Sequence, residues 1–261
     1  MDKQGQMNFF HEIFSPSLPR LGVGDDASTK KALAMLLETK SSAGNAFRSR
    51  KLRVLDVGCG TGTQTIELAK NISGTILAVD NHQPFLDELQ RRAKAAGVAG
   101  KIQTLQKDMR DLNRNDGVFD LIWSEGAIFI MGFGAGLAAW RSMLAADGLL
   151  AVSELAWFRA DAPEECRGFF AETYPALADV DANLAIIRAC GFKLIGHFRQ
   201  PESAWWDSFY DPLGACLSVL RAKHGADPEK LEMIAAIQME IDLYRKYSDY
   251  YGNVFYLLQR G

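Results

Sequence analysis

Three glycines and two carboxylates form the part of the sequence best suited to holding a ligand. Residues 54–63 read Val-Leu-Asp-Val-Gly-Cys-Gly-Thr-Gly-Thr, and they include Asp56 two positions before the first glycine. Glycine lets the backbone turn sharply and approach a ligand without a Cβ in the way. Asp80 ends the next apolar run, where a carboxylate can accept hydrogen bonds from both hydroxyls of a ribose. These types and spacings favour a ligand that combines a sugar with a positive charge.

The spacing of the glycines separates this loop from two common phosphate-binding loops. It is G-x-G-x-G, whereas a dinucleotide fold carries G-x-G-x-x-G, and no Lys-Ser/Thr pair follows as in a P-loop. The Asp56 carboxylate would repel a pyrophosphate but suits an ammonium or sulfonium group. A tight turn between strand and helix with no ligand is the alternative interpretation, and the two carboxylates argue against it.

The elements around this loop alternate between short apolar runs and helical patterns. Strands are predicted at residues 52–57, 75–80, 102–106, 119–123 and 149–153, and helices at 64–71, 84–96 and 136–145. A later part adds a helix at 181–190, a strand at 192–198, a helical stretch up to 246 and a closing strand at 250–258. Strands that alternate with helices predict a parallel sheet covered on both faces.

Residues 52–158 resemble the cofactor half of class I S-adenosylmethionine-dependent methyltransferases, on the glycine loop, Asp80 and the Asp-Met pair after strand three. The resemblance implies a Rossmann-like α/β fold, with a mostly parallel seven-stranded sheet and helices on both faces. It further implies that the glycine loop contacts the amino-acid end of the cofactor, that Asp80 holds the ribose and that Asp108 and Met109 frame the adenine. The implied cofactor-binding residues are Asp56, Gly58, Cys59, Gly60, Thr61, Asp80, Asn81, Asp108, Met109 and Ser124.

A closer resemblance extends over nearly the whole chain. Residues 21–25, 123–128 and 249–252 are similar to those of a bacterial group of small-molecule-type methyltransferases with unassigned substrates. The positions of the motifs predict a single domain with an N-terminal helical cap at 1–50, the cofactor half at 52–158, and a final part at 159–261. In that final part, a helical insertion at about 201–249 precedes the last strand and is expected to act as a lid over the methyl-donor end.

Glu125 is the candidate for a direct catalytic role, because it follows strand four where cofactor and acceptor would meet. Glu125 could take a proton from the acceptor, bind a cationic amine or only support the backbone turn. The first role is required only if the nucleophile arrives protonated. The aromatic residues of the tail are interpreted mainly as core packing, with a wall over the acceptor as the alternative. They are Trp157, Phe158, Trp205, Trp206, Phe209, Tyr210, Tyr244, Tyr247, Tyr250 and Tyr251.

Composition narrows the classes of partner. The 261 residues carry a formal net charge of −3, which argues against a duplex-DNA binder. Four cysteines without a C-x-x-C pair and scattered histidines predict no protein metal site. With no signal-like start and no apolar run of about 18 residues, we expect a cytoplasmic enzyme without membrane or nucleic-acid partners. Base rates favour a homodimer. A protein or nucleic-acid methyltransferase and a non-catalytic cofactor-binding protein are the alternatives to a small-molecule methyltransferase.

Overall fold

A computed structural model describes residues 1–38 and 50–261, and in these residues seven strands form one sheet in the order β3-β2-β1-β4-β5-β7-β6. The strands are β1 (Leu52–Val57), β2 (Gly74–Asp80), β3 (Ile102–Gln106), β4 (Phe119–Ser124), β5 (Leu144–Trp157), β6 (Phe192–Arg199) and β7 (Tyr251–Arg260). The first five are parallel, and β7 runs antiparallel between β5 and β6. The predicted mostly parallel seven-stranded sheet is therefore confirmed.

Helices cover the sheet and build a separate layer at one end of it. They are α1 (Lys3–Ile13), α2 (Asp26–Leu37), α3 (Thr63–Asn71), α4 (Gln83–Ala95), α5 (Phe133–Arg141), α6 (Glu164–Thr173), α7 (Val180–Ala189), α8 (Asp211–Lys223) and α9 (Pro228–Tyr247). A helical turn at Ser203–Trp205 and a π-helical stretch at Trp206–Tyr210 lead into α8. Asp25 caps α2, and Asp227 caps α9, by accepting a hydrogen bond from a backbone N–H of the first turn. None of the helices in the described residues is long and apolar enough to span a bilayer.

The sheet is buried on both faces, and β1 shows how its sequence achieves this. Leu52 and Val54 enter the apolar cluster that contains residues of α2, α3 and α4, whereas Leu55 and Val57 enter the cluster that contains residues of α5. Successive side chains of a strand point to opposite faces, so a strand covered on both sides must be apolar almost throughout. Asp56 has the same orientation as Leu52 and Val54, and it therefore lies on the α3 side of the sheet.

The prediction of the segment between α5 and β5 was wrong in its boundaries. A helix was expected over 136–145, but α5 ends at Arg141 and β5 begins at Leu144. Leu144 pairs with Phe119 of β4 across a register shift, so pairing in the sheet outweighs the helix propensity of Ala145 and Ala146. Of the predicted 1–50 cap, residues 39–49 lie outside the described residues.

A third apolar cluster joins the N-terminus to the insertion. It contains Phe9 and Ile13 of α1, Leu213 of α8 and Ile241 of α9. We call α1, residues 14–24 and residues 203–247 the cap. The cap packs as one layer, because its two sequence segments share one apolar core. A cavity lies between this layer and the sheet.

Candidate active site

A cavity of about 500 Å³ lies between the cap and the carboxyl ends of β1, β2, β4 and β5. One wall is formed by the glycine loop between β1 and α3, by Asp80 after β2 and by residues 107–110 after β3. We call a second part of the lining the acceptor wall; it consists of the lining residues from 10–14, from 153–174 and from 203–253. Ligands of open α/β sheets bind at this edge, beyond the carboxyl ends of the strands.

The structure brings most of the predicted site residues to this cavity. Glu125 lines it, and so do eight of the ten predicted cofactor residues. These eight are Gly58, Cys59, Gly60, Thr61, Asp80, Asn81, Asp108 and Met109. Asp56 and Ser124 do not line it. The loop glycines have φ values between +52° and +78°, a region that side-chain-bearing residues avoid, so the turn depends on glycine.

Asp80 links the glycine loop to the start of α4. Its Oδ2 accepts a hydrogen bond from the Gly60 N–H at 2.9 Å, and its Oδ1 accepts one from the His82 N–H at 3.0 Å. Burial raises the pKa of Asp80, and these hydrogen bonds oppose the rise. Each oxygen keeps a further lone pair, so the carboxylate can still accept from a diol in the cavity.

Asp56 and Ser124 lie behind the loop and not on the cavity wall. The Thr65 hydroxyl of α3 donates to Asp56 Oδ2 at 2.5 Å, and Ser124 Oγ donates to the Val57 carbonyl at 3.0 Å. Burial raises the pKa of Asp56 to about 7. Both side chains therefore link β1 to a neighbouring element, Asp56 to α3 and Ser124 to β4. Asp56 contacts α3 and not the cavity because side chains alternate along β1.

Glu125 is held by three donors from three different elements. Its Oε2 accepts from Arg20 of the cap at 3.1 Å, and its Oε1 accepts from Thr29 of α2 at 2.7 Å and from Trp123 Nε1 of β4 at 2.9 Å. Its side chain is 3% exposed and that of Arg20 is 6% exposed. Burial raises the pKa of Glu125, and the Arg20 guanidinium opposes the rise. With both oxygens engaged, the geometry favours a role in fastening the cap to the sheet.

Asp108 forms a two-point pair with Arg110 at the adenine end of the predicted site. Arg110 Nε and Nη2 donate to its two oxygens at 2.9 and 2.6 Å, and this pairing lowers the pKa of Asp108 to about 2. The carboxyl group is therefore ionised at neutral pH and can act only as an acceptor, which suits an exocyclic amino group.

Glu154 was missed by the sequence reasoning. It lies on β5, is 4% exposed and lines the cavity. Its Oε1 accepts from the Leu155 N–H at 2.8 Å and from the Tyr174 hydroxyl at 3.2 Å, whereas its Oε2 has no hydrogen-bond partner among the described residues. Burial raises the pKa of Glu154 to about 7. An acid near the carboxyl end of an apolar strand was the available signal, but the predicted strand stopped at Ser153.

The tail aromatics divide between core and cavity. Trp205 and Phe209 line the acceptor wall, together with Phe14 of the cap and Tyr174. Tyr244, Tyr247 and Tyr251 are buried in the apolar cluster of the cap. Glu240 of α9 also lines the acceptor wall, and its Oε1 accepts from the Tyr210 hydroxyl at 2.9 Å.

Two stacked histidines predict a pH-dependent stability of the cap. The rings of His11 on α1 and His82 before α4 lie 3.5 Å apart. Burial lowers the pKa of both, the charge of His82 lowers that of His11 further, and Asp80 opposes both effects. The folded chain therefore binds these protons less readily than the unfolded chain, so this contribution to stability falls as pH drops through the ordinary histidine range. We expect the Tm loss between pH 7.5 and 5.5 to be smaller for His11→Gln than for the wild type; equal losses would contradict the prediction.

The sheet order is that of the Rossmann-like fold of class I S-adenosylmethionine-dependent methyltransferases, and the glycine loop and Asp80 lie at the carboxyl ends of its strands. Residues 54–148 match the family model described as a methyltransferase domain. A solved methyltransferase from Geobacter sulfurreducens, in complex with S-adenosyl-L-homocysteine, superposes with a TM-score of 0.78 over 97% of this chain and 98% of that one, at 19% identity. That likeness concerns the fold.

Two curated relatives match parts of the sequence. A demethylmenaquinone methyltransferase from Lactobacillus johnsonii is 36% identical over 70 residues, which are 26% of this chain and 29% of that protein. An O-methyltransferase from Aspergillus nomiae is 27% identical over 183 residues, which are 67% of this chain and 80% of that protein. Matches to several curated relatives span only 26% to 29% of the length of those proteins.

Proposed function

We propose that the protein transfers the methyl group of S-adenosylmethionine to a small-molecule acceptor held beneath the cap. The observation that carries this proposal is that a single cavity joins the predicted cofactor residues to the acceptor wall. Its volume of about 500 Å³ falls within the range of ~300–1,000 Å³ common for small-ligand pockets. The acceptor wall is aromatic and acidic, which suits a small molecule better than a nucleic-acid backbone.

The residues of the cofactor wall fit this cofactor. The glycine loop would hold its amino-acid end, Asp80 its ribose, and Asp108 with Met109 its adenine. When bound, the cofactor supplies an electrophilic methyl group on a sulfonium. The chain contributes alignment and exclusion of water, because the cap covers the reacting end of the cavity and in-line displacement depends chiefly on positioning. All four cysteines are free thiols, which supports a cytoplasmic location as part of the proposal.

The cofactor assignment is tested by removing the Asp80 carboxylate. We expect Asp80→Ala to weaken binding of S-adenosyl-L-homocysteine about 10- to 100-fold in calorimetry, because two charge-assisted hydrogen bonds to the ribose are lost. Asp87→Ala is the matched control, since Asp87 is an exposed acid on α4 that accepts a bond from Gln83. Equal affinities for the two variants would contradict the assignment.

The acceptor class is tested by transfer of a labelled methyl group to fractionated cell extract. We expect label in the small-molecule fraction, whereas label confined to protein or nucleic acid would favour the alternative class. A protein that binds S-adenosyl-L-homocysteine but labels no fraction would favour a non-catalytic binding role.

A further inference from the structure

We infer that the methyl acceptor is a protonated amine, bound between Glu154, Glu240 and the aromatic rings of the acceptor wall, and that Glu154 takes its proton. This inference rests on the proposed function and specifies its substrate class.

The positive charges that line the cavity are already neutralised. In the described part of the chain the basic lining side chains are Arg20, Lys107 and Arg110. They pair with Glu125 at 3.1 Å, Asp116 at 2.6 Å and Asp108 at 2.6 Å, respectively. The described residues of the acceptor wall include two acids, Glu154 and Glu240, and no basic residue. Burial raises the pKa of both acids. A cation bound between them would favour their ionised forms, and the ionised wall attracts a cationic ligand and repels an anionic one.

Glu154 lines the cavity and has one buried carboxyl oxygen, Oε2, without a hydrogen-bond partner in the described residues. A buried carboxyl oxygen without a partner is costly, and a donor on the ligand would remove that cost. Glu240 belongs to the same wall, and its Oε1 accepts a hydrogen bond from the Tyr210 hydroxyl. Its carboxyl group thus also acts as a hydrogen-bond acceptor. An N–H-rich cation satisfies both carboxyl groups better than an alcohol.

Aromatic rings complete the environment that a cation requires. Trp205 and Phe209 line the acceptor wall, and Trp205 stacks on Tyr244 with ring centroids 4.0 Å apart. The faces of such rings attract a positive charge, most strongly where water is excluded. The same rings bind the apolar body of an organic amine, so we expect small organic amines rather than ammonia.

The chemical step balances without a further reactant. The ammonium group R–NH3⁺ gives one proton to Glu154 Oε2, and the freed nitrogen lone pair forms the N–CH3 bond. The S–CH3 bond breaks with its electron pair moving to sulfur, and the product is the N-methylammonium ion. Glu154 then releases its proton to water. Burial raises the pKa of Glu154 to about 7, which suits a group that must both take and release a proton near neutral pH.

The first test compares matched acceptors on the full-length protein loaded with S-adenosyl-L-homocysteine. Benzylamine, phenethylamine, tryptamine and putrescine are titrated beside the corresponding alcohols and carboxylates. We expect at least one amine to bind 10-fold or more tightly than both of its counterparts. If S-adenosyl-L-homocysteine binds but no amine is preferred, the inference is overturned and the proposed function stands. If S-adenosyl-L-homocysteine itself does not bind, the proposed function fails.

The second test uses variants that remove charge but keep shape. We expect Glu154→Gln to weaken binding of the preferred amine about 10-fold, to lower its methylation further at saturating amine, and to leave affinity for S-adenosyl-L-homocysteine unchanged. Glu240→Gln should weaken amine binding without the additional loss of turnover, and it serves if Glu154→Gln does not fold. Glu165→Gln, at a largely exposed acid paired with Lys246, is the control. Amine binding that is unchanged in Glu154→Gln, or in Glu240→Gln if that variant stands alone, would overturn the inference.

Discussion

Glu125→Ala is expected to lower the free energy of unfolding by about 3–5 kcal/mol, the usual cost of leaving one member of a buried ion pair unpaired. Arg20 would keep its charge in a site where only 6% of its side chain is exposed. The Thr29 hydroxyl and the Trp123 indole would lose their acceptor in the same step. Because the three donors belong to the cap, α2 and β4, the variant should also loosen the cap. Urea denaturation followed by circular dichroism measures the loss of stability.

Asp26→Ala is the matched control, because Asp26 is the other acid that pairs with Arg20. That pair is 3.0 Å long, but the Asp26 side chain is 52% exposed, so we expect a loss below about 1 kcal/mol. Equal losses for the two variants would show that Glu125 does not anchor the cap. The sequence-based alternative, in which Glu125 acts on the acceptor, predicts that Glu125→Gln cuts turnover more than cofactor affinity. Comparing it with Glu154→Gln in one assay decides which acid faces the acceptor.

The cofactor half of the fold could be predicted because its signals are local. The apolar run of β1, the glycines that stop it and the acid that ends β2 all fall within residues 52–80. The same short segment also contains a contact that holds the glycine loop in place, because the Gly60 N–H donates a hydrogen bond to Asp80. Local sequence fixes local geometry well when glycine conformation and strand burial agree.

The acceptor wall could not be predicted in the same way, because its partners are distant in the sequence. Glu154 and Glu240 reach one wall only after β5 and α9 are placed by the fold. Sequence periodicity marks both as polar positions and carries no information about what they face. The partner of Glu125 is a similar case, since Arg20 lies in a loop whose packing depends on the cap as a whole. Such contacts follow from tertiary structure.

Gly58→Ala is expected to destabilise the protein by about 2–5 kcal/mol and to weaken binding of S-adenosyl-L-homocysteine. At Gly58 φ is +70°, where alanine costs about 1–2 kcal/mol. A Cβ there would also lie 2.5 Å from the Ala127 Cβ. That atom is fixed to the backbone and cannot rotate away, so the loops after β1 and β4 must separate, at a further cost of about 1–3 kcal/mol.

Gly97→Ala isolates the conformational part of this effect. Gly97 has nearly the same φ, +71°, but among the described residues no atom beyond its chain neighbours lies within 4 Å of an added Cβ. We expect a loss of about 1–2 kcal/mol in urea denaturation and unchanged cofactor affinity in calorimetry. If both variants lost equal stability, the contact with Ala127 would not matter. If Gly58→Ala kept full affinity for S-adenosyl-L-homocysteine, the close approach of the two loops would not shape the cofactor wall, and glycine at 58 would serve the turn alone.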